Sequence, residues 1–319
     1  MSERQCGICL GPLTGEHPGG YHEPCCQDLF GGANVPDLPY SWDDLNALGE
    51  RVIRRHVTVP GVQPKLSLHL EQADRTSGRL TLVGMEGGYI LKPPVAAYPE
   101  MPELEHLTMQ MARVFGIDTC ACGLIALQDG AWAFIARRMD RVGKRKRHME
   151  DLCQLTDRLT ERKYHGSMEQ VGRTVLRFCD NALFDALRLF ELTTFCFLTG
   201  NADMHLKNFS LLYDPGGEIR LSPAYDLLPT ALLLPQDKEE IALTLNGKKR
   251  KLRRKDFMDF GYSLRLTEKQ VANAIERLQG KLPGALRLLQ RGLCSPDARD
   301  RFSNLILERA ERLGMSIGV

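Results

Sequence analysis

The apolar positions of the chain change their period along its length. In residues 65–70, KLSLHL, apolar and polar side chains alternate, the period of a strand with one buried face. Residues 80–83 and 88–92 read the same way, and the polar stretch 74–78 predicts a turn. A second strand pair, 122–128 and 131–137, flanks Asp129-Gly130, a hairpin dipeptide. Between these pairs Leu104, Leu107, Met111 and Val114 recur at helical spacing, predicting a helix over 101–115 with Glu103 and Glu105 in its first turn. A short helix over 41–50 precedes the first strand.

Beyond Met149 the period is helical. Helices are expected near 149–160, 168–179 and 182–198, the last apolar on most faces and therefore central. Thr267 with Gln270 three residues on is a capping signature. It opens helices expected to run to Leu278, then over 283–290 and 297–313. The fold class is α+β, a two-lobe protein-kinase-like arrangement. It divides into a Cys-rich cap (1–40), a small antiparallel-sheet lobe (41–136) and a larger helical lobe (137–319).

Composition narrows this little. The 319 residues are 43% hydrophobic and 26% charged, with a net charge of +2 from 42 basic and 40 acidic residues. Bulk electrostatics therefore selects no partner. No apolar run approaches the roughly 18 residues of a membrane span. The opening MSERQCG is no signal peptide, so a cytoplasmic protein is expected. The basic runs 137–147 and 246–257 are where phosphate or nucleic acid would be met. A solvated face is the simpler explanation of both, and a plain turn over 248–255 ranks above a contact there with a protein or nucleic-acid partner.

Of the 10 cysteines, six are scattered through apparent core and four fall within the first 26 residues. Cys6 and Cys9 make a C-x2-C knuckle, followed by His22, Cys25 and Cys26. Cys6, Cys9, His22 and either Cys25 or Cys26 suit one tetrahedral zinc, whose four protein ligands would make it structural. Reduced thiols in a small packed cap are the alternative. A redox pair is less favoured, since no helix is evident there to lower a thiol pKa.

The stretch GNADMHLKNFSLLYD, residues 200–214, follows the most apolar helix and crowds Asp203, His205, Lys207 and Asn208 together. Asp203 and Asn208 have the D-x4-N spacing of a kinase catalytic loop, in which the Asp accepts the proton of the attacking hydroxyl and the Asn holds a metal ion. A hairpin then delivers Asp226 as a second metal ligand. Lys92 ends an apolar strand, where its ammonium would neutralise phosphate charge, and a helix glutamate would pair with it. His205 and Lys207 would orient the loop or meet the transferring phosphoryl group.

These segments, GNADMHLKNFSLL and LSPAYDLLPT with GVQPKLSL, YILKPP and EHLTMQMARVFGI, resemble the signature segments of HipA-like serine/threonine kinases, toxins of bacterial toxin–antitoxin systems. The similarity runs from about Val57 to the end of the chain. It implies ATP and Mg²⁺ as cofactors, Asp203 as base, Asn208 and Asp226 as Mg²⁺ ligands, and Lys92 on the ATP phosphates. Glu105, placed within the EHLTM segment, is the preferred partner of Lys92. The resemblance also implies a nucleotide-covering loop from Val59 through Gly61, Val62 and Gln63 to Lys65. The hinge at 136–139, with Arg137 and Met139, would hold adenine. Self-inactivation by phosphorylation would fall on Thr58, because Pro60 stands where some members carry a second hydroxyl.

Full-length members carry a further N-terminal subdomain, whereas this chain has the Cys-rich cap there. It therefore looks more like the short HipT-like kinases. Expected partners are a protein substrate, in the family sometimes an aminoacyl-tRNA synthetase, and an antitoxin that itself binds DNA. Two alternatives remain: a small-molecule kinase on the same scaffold, and a non-catalytic nucleotide-binding component of a DNA-repressor complex. The second has no need of Asp203.

Overall fold

The structure, a computed structural model, describes residues 4–15, 17–55, 63–84, 86–143 and 145–316. The chain forms two compact units. The first comprises Met1–Gln110, Cys120–Gly143 and Arg291–Ser295, and the second Met111–Thr119, Lys144–Gln290 and Pro296–Val319. The fold is α+β, with a small antiparallel-sheet lobe, a larger helical lobe and a Cys-rich N-terminal region.

The first unit is built on five antiparallel strands in the order β2-β1-β3-β5-β4. They are β1 (Leu66–Gln72), β2 (Gly78–Val83), β3 (Tyr89–Lys92), β4 (Cys122–Ala126) and β5 (Trp132–Arg137). Alternation sorts their side chains. Leu66, Leu68, Leu91 and Ile135 join a core completed by Cys6, Ile8, Tyr21, Cys26, Leu29 and Phe30. The Cys-rich segment thus packs on the sheet and shares its core. Its helix α1 (Glu23–Phe30) ends at Gly31, whose φ of 78° is the left-handed cap glycine adopts without penalty. Helix α2 (Trp42–Arg55) is longer than its apolar pattern suggested, and α3 (Met101–Val114) lies where the helical spacing put it.

In the second unit the central helix α6 (Ala182–Thr199) buries Phe190, Phe195 and Phe197 completely. Each contributes about 1.5–3 kcal/mol by leaving water. Residues 149–160 are not the helix the periodicity suggested. Met149–Asp151 is a strand, β6, paired with β7 (Ser210–Tyr213), which also pairs with β8 (Ile219–Leu221). Asp151 then caps a single turn, α4 (Leu152–Leu155), accepting from the Gln154 amide. Strand pairing supplied by distant residues outweighed a local helical period.

Helix α5 (Met168–Phe178) matches its expected span, and a short α7 (Thr230–Leu233) follows the Asp226 segment. Two further corrections fall near the C-terminus. The run expected to be a turn is a turn only as far as Arg253, and then enters α8 (Arg254–Ser263), anchored by buried Phe257 and Phe260. Pro283 does not divide the next helix. The helix α9 (Glu268–Leu289) continues through it, because burial of Leu278, Leu282, Ala285 and Leu289 offsets one lost backbone bond. Thr267 caps α9 as its spacing indicated, accepting from the Gln270 amide. Helix α10 (Pro296–Arg312) closes the unit. Its Arg312 forks onto Glu240 at 2.8 and 2.9 Å, and its buried Arg309 donates to the Phe197 carbonyl at 2.7 Å.

Candidate functional site

In the first unit, Lys92 and Glu105 form an ion pair with Nζ to Oε1 at 2.5 Å, the two residues only 4% and 1% exposed. Strand β3 sends Leu91 into the core and Lys92 to the opposite face. There its ammonium lies 5.3 Å from the ring centre of Phe134, its cross-strand neighbour. Glu103, the other candidate partner, is half-buried, and loss of water around it pushes its carboxyl up to about 7. Gln63 donates from Nε2 to the Pro93 carbonyl at 3.1 Å, tying the end of the Gly/Pro loop to the lysine strand. Thr58, Val59, Gly61 and Val62 lie outside the described residues, and Lys65 immediately precedes β1. Arg137 is exposed and donates to the Asp28 carbonyl of the Cys-rich segment at 2.9 Å. Met139 is half-buried beside Arg138 and Asp140, which are held by a two-pronged ion pair.

In the second unit, Gly200 ends α6 at φ 73° and releases the chain into the Asp203 loop. The loop is wired from within. Asn201, 1% exposed, accepts from the Asp203 amide at 3.0 Å, and the Asp203 carbonyl accepts both the His205 amide at 2.8 Å and Asn208 Nδ2 at 2.9 Å. That last bond identifies the remaining end of the Asn208 amide as oxygen. An amide oxygen there and the Asp226 carboxylate are donors of the hard oxygen type that would suit Mg²⁺. Asn208 closes a short 3-10 turn, Leu206–Asn208, and the strand it was expected to open begins at Ser210. Asp226 has φ 61°, a left-handed conformation that costs about 1 kcal/mol and that Asp adopts more readily than most residues.

Lys207 turns to Asp151 at 2.8 Å, pinning the loop to β6. His205 is buried, and burial lowers its pKa against the opposing pull of Asp203 and Asp226. Three contributors gave no spacing signal. Tyr164 donates its hydroxyl to Asp203 Oδ1 at 2.5 Å, and Tyr225 donates to the Lys207 carbonyl at 2.9 Å while meeting Ser210 at 2.6 Å. Asn201 was legible only as a position within the quoted GNADMHLKN segment, with no role attached to it.

In the Cys-rich segment, ligand atoms of Cys6, Cys9, His22 and Cys25 all lie within 4.8 Å of one another. Cys26 points into the core, where burial pushes its thiol up to about 12, so Cys25 is the fourth member. His22 turns Nδ1 to Cys9 Sγ at 3.3 Å and Nε2 to the Pro12 carbonyl at 3.2 Å. A carbonyl only accepts, so Nε2 carries the proton and the Nδ1 lone pair faces the sulfurs. Hydrogen bonds from Cys9 and from backbone amides draw the Cys6 thiol down to about 4. A helix does begin here, with Cys25 in the first turn of α1, yet burial raises the Cys25 thiol. Three thiols and one imidazole with a fixed tautomer fit a tetrahedral zinc.

Within the basic runs, Arg138 and Arg141 pair with Asp140, Lys248 with Asp256, and Lys249 with Glu239. A cavity of about 560 Å³ in the second unit is lined by Asp118, Phe184, Arg188, Arg220 and Arg277 among others, and by none of residues 200–208.

The family described as HipA-like C-terminal domain matches residues 57–286. The chain belongs to this family. Among HipA-like relatives, a Haemophilus influenzae protein named "Putative kinase" is 29% identical over 237 residues, 70% of this chain and 67% of its own. The Shewanella oneidensis serine/threonine-protein kinase toxin HipA is 29% identical over 196 residues, 54% of this chain and 43% of its own. The chain spans between 43% and 67% of the length of the curated relatives it matches. The solved HipA from the Shewanella oneidensis complex of HipA, HipB and operator DNA superposes with a TM-score of 0.66 at 20% identity, covering 84% of this chain and 71% of that one. The Helicobacter pylori proinflammatory kinase CtkA gives 0.55 at 14% identity, covering 77% and 93%. Both likenesses are of fold. No helix among the described residues is long and apolar enough to cross a membrane.

Proposed function

We propose that this chain is an ATP-dependent protein serine/threonine kinase, the toxin of a toxin–antitoxin module. The observation that carries it is the Asp203 loop. Its carboxylate already accepts a hydroxyl hydrogen bond, from Tyr164, while Asn201 and Asn208 fix the backbone on either side. A base that must receive a hydroxyl proton needs that geometry. Lys92, set by Glu105, would bind ATP phosphates, and loop 59–65 and the 136–139 hinge would hold the nucleotide. Mg²⁺ bound by Asn208 and Asp226 would offset phosphate charge. Asp203 orients the acceptor hydroxyl and takes its proton, while His205 and Lys207 keep the loop in shape. Thr58 is the proposed self-phosphorylation site.

The family, and the solved complex of a relative with HipB and operator DNA, support an antitoxin that binds DNA as partner. The Cys6, Cys9, His22 and Cys25 cluster would hold one structural zinc. The test is intact and peptide mass after incubation with Mg-ATP, beside Asp203→Asn. Phosphate gained at Thr58 by the parent and absent from the variant is expected. Equal gain in both overturns Asp203 as base, and gain elsewhere overturns Thr58.

A further inference from the structure

The Tyr164 hydroxyl is the one group that meets the Asp203 carboxylate as a donor oxygen, at 2.5 Å among the described residues. A phenol or an alcohol bringing O–H to that carboxylate occupies the position an acceptor hydroxyl must take to lose its proton there. Tyr164 is not a core residue that happens to find a polar partner, since it is 40% exposed. It is nonetheless held in place. Its ring stands edge-on to His205 at 5.1 Å and 83°, Lys163 Nζ lies 5.0 Å over its face, and the Lys163 carbonyl accepts the Leu206 amide at 3.1 Å. The tether joins the 157–166 segment to the Asp203 loop by backbone alone, so the side chain can leave while the segment stays. Burial, and then the bond to Asp203, raise the phenol pKa, so Tyr164 stays a donor rather than an anion.

We infer that Tyr164 stands in for the acceptor hydroxyl at Asp203 and must yield that place before transfer. It would screen the base from water when no acceptor is bound, so that ATP is not spent on hydrolysis. This rests on Asp203 being the base. Hydrolysis supplies the test, because water is an acceptor that needs no identification. The water oxygen bonds to the γ-phosphorus, the bond from that phosphorus to the β–γ bridging oxygen breaks to release ADP, and the water proton passes to Asp203.

Steady-state release of inorganic phosphate from Mg-ATP is measured for the parent chain, Tyr164→Phe, Asp203→Asn and the double variant. The Phe ring keeps the contact with His205, and thermal midpoints check folding. Tyr164→Phe is expected to raise kcat about ten- to a hundredfold, the factor by which one hydrogen bond to a charged group holds a closed state. The KM for ATP should not change, and Asp203→Asn should cancel the gain. A merely structural tyrosine would lower kcat or leave it alone. Parent turnover that Tyr164→Phe does not raise overturns the inference and leaves the kinase proposal standing. Absence of turnover in every variant, together with absence of ATP binding by calorimetry, overturns both.

Discussion

Glu103 and Glu105 sit two positions apart in the first turns of α3 and have opposite fates. Glu105 meets Lys92. Glu103 keeps Oε2 buried without a hydrogen-bond partner, and its carboxyl is held up at about 7 by burial. A carboxyl whose folded pKa exceeds its unfolded value contributes stability that is fully present below the unfolded value, near 4.5, and is lost as pH rises through about 7. Glu103→Gln should therefore stabilise the fold by about 1–2 kcal/mol above pH 7.5, read from urea unfolding, and change it little at pH 4.5. A flat difference across that range would mean the Glu103 carboxyl is solvated. The choice between the two glutamates was legible only as a place within a segment. Helical period says which residues share a face, and it does not say which of two acids a strand lysine from another element reaches.

At the scale of elements, the junction of α6 with the Asp203 loop is the most constrained point of the second unit. Gly200 has φ 73°, and a Cβ built there would lie 2.6 Å from Leu305 Cδ2 and 2.9 Å from Ala231 Cβ. Gly200→Ala should cost about 2–4 kcal/mol from backbone strain and crowding together. It should also lower nucleotide turnover through the displaced loop, both read from urea midpoints and phosphate release on the same samples. Element type followed the period wherever the burial was local: α5, α6 and the strands β1–β5 are all where alternation or helical spacing put them. It failed where a partner from far along the chain decided the outcome, as when Ser210–Tyr213 drew Met149–Asp151 into a strand. The Tyr164 bond to Asp203 was illegible for the same reason, since 39 positions separate the two and no spacing rule joins them.

For the whole chain, the question is what the Cys-rich segment adds. A unit with its own sheet and core does not require a metal, yet four ligand atoms converge and a fifth candidate, Cys26, is turned inward. The purified chain should carry about one zinc by elemental analysis. Cys6→Ser and Cys9→Ser should lose it, and Cys26→Ser should keep it despite its cost to packing. Chelation should lower the thermal midpoint by several degrees, the shift expected for about 1–2 kcal/mol in a chain of this size. Zinc retained by Cys25→Ser and lost by Cys26→Ser would reassign the fourth ligand.

Between Cys6 and Cys9, the Ile8 carbonyl accepts His106 Nε2 at 2.8 Å, and His106 is the residue after Glu105. On the same knuckle the Gly7 carbonyl accepts the Leu124 amide at 2.7 Å, and Tyr21 donates to the Leu124 carbonyl at 3.0 Å. The thiol knuckle, the edge strand β4 and the turn of α3 that carries Glu105 are therefore latched by three hydrogen bonds. In hydrogen exchange their amides should open as one cooperative block. Whatever loosens the thiols, an oxidant as much as a chelator, reaches the Lys92 ion pair from both sides, through His106 to Glu105 and through β4 and β5 to Lys92.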